Sequence, residues 1–172
     1  MKIKVRHGTI ALISAILVLL MINLSIYSKE TLLRKGEIVY LELAPVDPRS
    51  MMQGDYMALR FAIGNEIQAQ KWKKPRLPVD GRVVVELDDK RIASFKRLDE
   101  GKALQVNELR LRYRIRNDEV KFATNAFFFR EGSGSMYSSA RYGQFRVGDD
   151  GELLLVDLYN ADLKRLGSMF AE

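Results

Sequence analysis

The chain of 172 residues contains no cysteine and a single histidine, His7. Without cysteine there is no thiol nucleophile, no thiolate metal ligand and no disulfide, so packing alone must stabilise the fold, even in an oxidising compartment. Because His7 lies in the N-terminal tail, no imidazole is available to an active site in the folded domain, and zinc is not expected. We therefore predict that the protein binds no metal.

A strong charge of one sign is also missing. The formal net charge is only +6, and part of it belongs to Lys2, Lys4 and Arg6, which precede an apolar segment. This mild basicity argues against a nucleic-acid partner. The 47% hydrophobic and 29% charged fractions are ordinary for a globular protein, and the length fits one domain with an appendage.

Residues 9–28 form the one long apolar segment, and no charged residue occurs in it. About 20 residues in a helix span the roughly 30 Å hydrocarbon core of a membrane. We interpret 9–28 as an uncleaved transmembrane signal-anchor. The alternative is a cleaved secretory signal, but Ile26 and Tyr27 stand where a cleavage site needs small residues.

The basic residues on either side of this segment predict its orientation. Lys2, Lys4 and Arg6 make residues 1–8 a cytoplasmic tail, although Lys29, Arg34 and Lys35 partly balance that bias. Residues 29–36 then form a stalk, and residues 37–172 form a domain outside the cytoplasm.

Period-two alternation of apolar and polar residues dominates the predicted domain. In the first alternating segment, Val39, Leu41 and Leu43 share one face, which we expect to be buried. We predict strands at 37–44, 56–63, 82–87, 91–97, 109–115, 119–129, 143–147 and 152–158. A short helix after Gly64 would place Ile67 and Trp72 against the core. The fold class is therefore mainly β, with one mostly antiparallel domain of about eight strands and minor short helices.

Four arginines alternate with apolar residues in the strand predicted at 109–115. They share one face and are Arg110, Arg112, Arg114 and Arg116. One interpretation is a basic face that binds anionic lipid headgroups or an acidic partner. The other, and the more common, is a solvated face whose arginines pair with carboxylates on the neighbouring strand.

Residues 45–61 connect the first two predicted strands and contain two prolines, a glycine and several charges. The prolines restrict the backbone and Gly54 frees it, so the composition predicts a shaped turn. Asp47, Arg49 and Asp55 are close enough in sequence to form a local ion-pair cluster within it.

The run Gly54-Asp55-Tyr56-Met57-Ala58-Leu59-Arg60-Phe61 resembles the signature of the GDYXXLXY family of uncharacterised bacterial membrane-anchored proteins, with Phe61 in place of the final tyrosine. Residues 45–49 resemble the lead-in to that signature. Residues 127–134 resemble a later aromatic-Pro-Glu-Gly element, with Arg130 where proline is usual. The resemblance implies a single-pass protein of the bacterial inner membrane, with its domain in the periplasm or extracytoplasmic space and a multi-pass membrane protein as its partner. The family has no assigned enzymatic activity, so the resemblance does not indicate a reaction.

The motif has a structural and a functional interpretation. In the functional one, Asp47, Arg49 and Asp55 hold the shape of the turn, Gly54 permits it, and Tyr56 packs beneath it or presents its hydroxyl to a partner. Leu59 and Phe61 are the other two motif residues that we consider as candidates for binding. In the structural interpretation, the motif only makes one difficult β connection.

An enzyme is the alternative to an interaction protein. Ser50-Met51 followed by Gly54-Asp55 resembles the nucleophile region of type I signal peptidases, in which a serine acts with a lysine base, and Lys96 is the nominee for that base. The spacing is too short, however, and the Pro-Thr pair of those enzymes is absent. No glycine-rich phosphate loop occurs either. We therefore predict no catalytic residues, no cofactor, and an accessory or interaction subunit of a membrane protein complex.

Overall fold

The computed structural model describes residues 2–44, 52–53, 56–70, 77–124 and 126–167. Several residues singled out above lie outside these ranges, namely Asp47, Arg49, Ser50, Gly54, Asp55 and Trp72. The predicted ion-pair cluster of the turn therefore stays a prediction.

The first element is a single continuous helix, α1 (Lys2–Lys35). It contains the apolar segment and, as its last turns, most of the predicted stalk. Every residue from 8 to 30 is exposed, and the helix is long and apolar enough over Gly8–Lys35 to cross a membrane. A proline-free run rich in Leu and Ile accounts for the helix, because nothing in it interrupts the backbone hydrogen bonds.

The described part of the domain contains ten strands and two short helices. The strands are β1 (Glu37–Glu42), β2 (Met52–Gln53), β3 (Tyr56–Ala58), β4 (Asp80–Leu87), β5 (Ala93–Leu98), β6 (Glu108–Arg116), β7 (Glu119–Lys121), β8 (Ala126–Phe128), β9 (Tyr142–Val147) and β10 (Leu153–Tyr159). The helices are α2 (Ala62–Ala69) and α3 (Gly134–Tyr137). The strands form three antiparallel sheets, with the orders β1-β9-β10, β2-β3-β8 and β5-β4-β6-β7. The mainly β fold class is confirmed.

One hydrophobic core joins the three sheets. Val39, Leu41 and Leu43 are buried in it, as their alternation predicts, together with Ile67 from α2. Tyr113 enters the core from β6 and lies opposite Gly81 of β4, and burial raises the pKa of its phenol. A Cβ atom at Gly81 would lie 2.5 Å from the Tyr113 hydroxyl oxygen, so the tyrosine requires glycine there.

Two of the predicted strands are wrong in extent. The strand predicted at 56–63 ends at Ala58, and α2 begins at Ala62. The strand predicted at 119–129 is divided between β7 and β8, which belong to different sheets. Ala123 explains this division, because its positive φ of 45° breaks the extended backbone.

The turn between β9 and β10 links α1, the first sheet and the third. The Arg112 N–H donates to the Gly151 carbonyl oxygen at 2.8 Å. Gly151 has a φ of 84°, and a Cβ atom there would lie 3.0 Å from the Arg110 carbonyl oxygen, so only glycine fits. Glu152 forms an ion pair with Lys29 at the end of α1. The turn therefore also contacts the helix.

Candidate functional site

The signature segment has an inner side that belongs to the core. Met57, Leu59 and Phe61 are all buried. The Phe61 ring meets two other phenylalanines edge-on, with centroid distances of 5.3 Å to Phe145 and 6.1 Å to Phe122. Leu59 and Phe61 are therefore packing residues, and any contact with a partner falls to other members of the motif.

The outer side of the same segment carries an aromatic pair. Tyr56 lies opposite Phe128 in the pairing of β3 with β8, with 5.7 Å between the ring centroids. Phe128 is 74% exposed. We call Tyr56 and Phe128 the surface aromatic pair. Sequence reasoning singled out Tyr56 but not Phe128, because the two residues meet only through the pairing of distant strands.

The three consecutive phenylalanines divide between two environments. Phe127 and Phe129 both contact Tyr137 of α3, with centroid distances of 5.1 and 5.2 Å. Phe128, between them, points away and is exposed. Side chains alternate between the two faces of a strand, so three consecutive rings cannot all point inward.

Ion pairs inside the chain engage most of the arginine face of β6. Arg110 pairs with Asp99 at 3.1 Å, Arg112 with Asp150 at 2.8 Å and Arg116 with Asp80 at 3.1 Å. The remaining member, Arg114, donates from Nη2 to the Ala123 carbonyl oxygen at 3.3 Å. Asp80 lies on the neighbouring strand β4, whereas Asp99 and Asp150 come from loops. These contacts favour the interpretation of a solvated, ion-paired face for three of the four arginines.

A buried carboxylate at the start of β6 was missed by the sequence reasoning. Glu108 is bonded to Arg97 and accepts a hydrogen bond from the Gln105 N–H at 3.0 Å. The hydrogen bond from Arg97 is the main reason why the pKa of Glu108 is lowered, and the bond from the Gln105 N–H is the second. The hydrogen bond between Arg97 and Glu108 also raises the pKa of Arg97. Because Arg97 is on β5 and β4 lies between β5 and β6, this pair connects strands that are not neighbours.

Of the serine and the lysine considered as a catalytic pair, only Lys96 lies in the described part of the chain, and it is not buried. Lys96 is exposed, and its Nζ atom lies 2.7 Å from Glu86 Oε2. A lysine base needs burial that disfavours its charged form, whereas a carboxylate partner favours that form. Among the described residues, no group of three or more histidine, aspartate or glutamate side chains is arranged to hold a metal.

Comparison with known proteins gives one match. The sequence model of a family described as GDYXXLXY protein matches residues 18–158, from the second half of α1 into the last strand. No curated protein and no solved structure matches the chain. The matched region contains the whole signature segment, the surface aromatic pair and the arginine face.

Proposed function

Because this chain belongs to the GDYXXLXY protein family, with one apolar helix ahead of a β domain, we propose that it is a membrane-anchored interaction subunit. Its domain lies outside the cytoplasm and docks on a neighbouring multi-pass membrane protein through Tyr56 and Phe128. The exposure of Phe128 beside the signature tyrosine carries this proposal.

The first support comes from α1. Every residue from 8 to 30 is exposed, and the main contacts of the helix with the described part of the domain are with β9 and β10, one of them the ion pair of Lys29 with Glu152. An apolar helix that is exposed on all sides suits lipid and not water. In this proposal the basic residues Lys2, Lys4 and Arg6 keep the N-terminus in the cytoplasm.

The second support is the chemistry of the surface aromatic pair. Aromatic side chains dominate the energetic centres of protein interfaces, and burying one large apolar side chain contributes about 1.5–3 kcal/mol. The tether holds the domain at the membrane, so a membrane-resident partner is present at a high effective concentration. A modest contact of a few residues is then sufficient, and the surface aromatic pair docks on an extracytoplasmic loop of that partner.

The third argument is that the surface aromatic pair stands on well-packed strands. Tyr56 stands on a strand whose next side chain, Met57, is fully buried, while Phe127 beside Phe128 packs on Tyr137. A binding group held on packed strands loses little conformational freedom when a partner docks. The proposal assigns no enzymatic step to the domain.

Photo-crosslinking in native membranes tests this function. Phe128 is replaced by the photoreactive analogue p-benzoylphenylalanine, which keeps an aromatic ring at the position, and the adducts are identified by mass spectrometry. Val106 provides the matched control, because it is 89% exposed but lies in the loop before β6. We expect a discrete adduct with a multi-pass membrane protein from position 128 and none from position 106. No adduct, or identical adducts from both positions, would contradict the proposal.

A further inference from the structure

A cleft of about 990 Å³ lies between the polar face of the third sheet, strand β10 and the C-terminal end of α1. Its volume is in the range of small-molecule sites. Five basic and three acidic side chains line it, an excess of two positive charges. The basic residues are Lys29, Arg82, Arg112, Arg114 and Lys121, and the acidic residues are Asp80, Asp99 and Glu152.

The acidic residues of the cleft are all engaged by other cations. Asp80 pairs with Arg116, and Asp99 pairs with Arg110, each at 3.1 Å. Neither of these arginines lines the cleft. Glu152 pairs with Lys29. Among the described residues, the three carboxylates therefore form no ion pair with Arg82, Arg114 or Lys121, whereas Arg112 pairs at 2.8 Å with Asp150, which does not line the cleft.

Three basic residues of the cleft are poorly paired, and we call Arg82, Arg114 and Lys121 the cleft cations. Within the described part of the chain, the Arg82 guanidinium has no hydrogen-bond or ion-pair partner. Arg114 has only the Ala123 carbonyl oxygen at 3.3 Å. Lys121 Nζ lies 3.9 Å from Glu119 Oε2, which is beyond hydrogen-bond distance.

The register of the sheet brings like charges together in this cleft. Arg82 of β4 is directly opposite Arg112 of β6, and Arg114 of β6 is directly opposite Lys121 of β7. Like charges that face each other across neighbouring strands lower stability. Asp150 beside Arg112 and Asp80 opposite Arg114 offset part of this repulsion, and an anion bound between the cations would offset more of it.

We propose that the cleft cations bind the phosphate of an anionic phospholipid headgroup. Arginine suits this ligand, because its planar guanidinium donates two parallel hydrogen bonds to phosphate oxygens. Leu153, Leu154 and Leu155 of β10 form an apolar part of the lining, against which the glycerol and the first carbons of an acyl chain can pack.

The position of Lys29 favours a lipid over a soluble anion. Lys29 lines the cleft and directly follows Ser28, the last residue of the uncharged segment, at a rise of about 1.5 Å along a helix. The headgroup layer of one leaflet is roughly 5–8 Å thick. With α1 across the membrane, this side of the cleft lies at headgroup depth, and a lipid enters it without leaving the bilayer.

Native mass spectrometry of the full chain tests the site. The protein is released from micelles that contain equal amounts of phosphatidylglycerol and phosphatidylcholine, and the retained lipids are counted. We expect at least a fivefold preference for phosphatidylglycerol, since each basic residue near an anionic surface raises affinity roughly fivefold. The double variant Arg114→Gln/Lys121→Gln should lose most of this preference, because it keeps only Arg82 of the cleft cations.

Two further variants separate lipid binding from folding and from total charge. Arg82→Gln should lower the preference severalfold while the melting temperature stays the same or rises, because the substitution relieves repulsion with Arg112. Lys90→Gln/Lys96→Gln removes two positive charges outside the cleft and should leave the preference unchanged.

Three outcomes would overturn the proposal. The first is equal retention of both lipids by the unchanged protein, and the second is the same loss of preference in the control double variant. The third is calorimetric binding of inorganic phosphate without any preference for phosphatidylglycerol, which would make the ligand a soluble anion. In the first case an acidic protein segment would be the next ligand to test.

Discussion

The inner and outer sides of the signature segment differ in what surrounds them. Met57, Leu59 and Phe61 on the inner side are at most 4% exposed, whereas Phe128, the cross-strand partner of Tyr56 on the outer side, is 74% exposed. The segment therefore contributes to stability on one side and offers a surface on the other. One contiguous motif can thus contain residues with unrelated roles, and alternation along the strand separates them.

The largest expected effect is on the inner side. Phe61→Ala should lower the free energy of unfolding by about 3–5 kcal/mol, because it removes a ring packed between two other aromatic rings. Phe128→Ala should change it by no more than about 0.5 kcal/mol, since the ring is exposed. Chemical denaturation of the full chain in detergent, followed by circular dichroism, measures both. Similar losses for the two variants would remove the distinction between the two sides.

A smaller loss of stability is expected from a substitution in the third sheet. Gly81→Ala should cost about 1–3 kcal/mol, because the added Cβ atom overpacks the buried Tyr113 ring. Gly64→Ala is the matched control, since its nearest contact would be an ordinary 3.5 Å to Val120. Alanine favours a helix interior by about 1 kcal/mol over glycine, so this control should be neutral or stabilising. Equal destabilisation by both substitutions would argue against the close packing at Gly81.

The third prediction compares two glutamates that are directly opposite each other, Glu108 on β6 and Glu86 on β4. The Glu108 side chain is 2% exposed and that of Glu86 is 48% exposed. Arg97 holds the pKa of Glu108 below its ordinary value, so this carboxylate stabilises the fold fully above the unfolded-state pKa of about 4.3. That stabilisation is lost as the pH falls through the lower pKa of the folded state.

Glu108→Gln should therefore be less stable than the unchanged protein at pH 7, and the difference should shrink below about pH 4. Glu86→Gln should change stability by no more than about 1 kcal/mol, because its ion pair with Lys96 is exposed. Denaturation midpoints measured from pH 7 to pH 3 test this. A difference for Glu108→Gln that stays constant over the whole range would show that its ionisation is not the cause.

Much of the architecture was predictable because its signals are local. The uncharged apolar run predicts α1, and the alternation of Val39, Leu41 and Leu43 predicts their burial, which the structure confirms. The strands predicted at 143–147 and 152–158 correspond to β9 and β10, which pair antiparallel. The break at Ala123 was not predictable, because the alternation of Val120 and Phe122 continues to Thr124 in the sequence, and the positive φ of Ala123 is seen only in the structure.

The candidate sites show the same division between what is local and what is not. The sequence by itself determined that the four arginines share a face, since side chains in a strand alternate with a period of two. Only the tertiary structure decided that Phe128 meets Tyr56, that Asp99 and Asp150 engage two of the arginines, and that Arg82 lines a cleft without an ion-pair partner among the described residues. These relations depend on which distant strands and loops come together, and such pairing is set by the packing of the whole core and not by local backbone geometry.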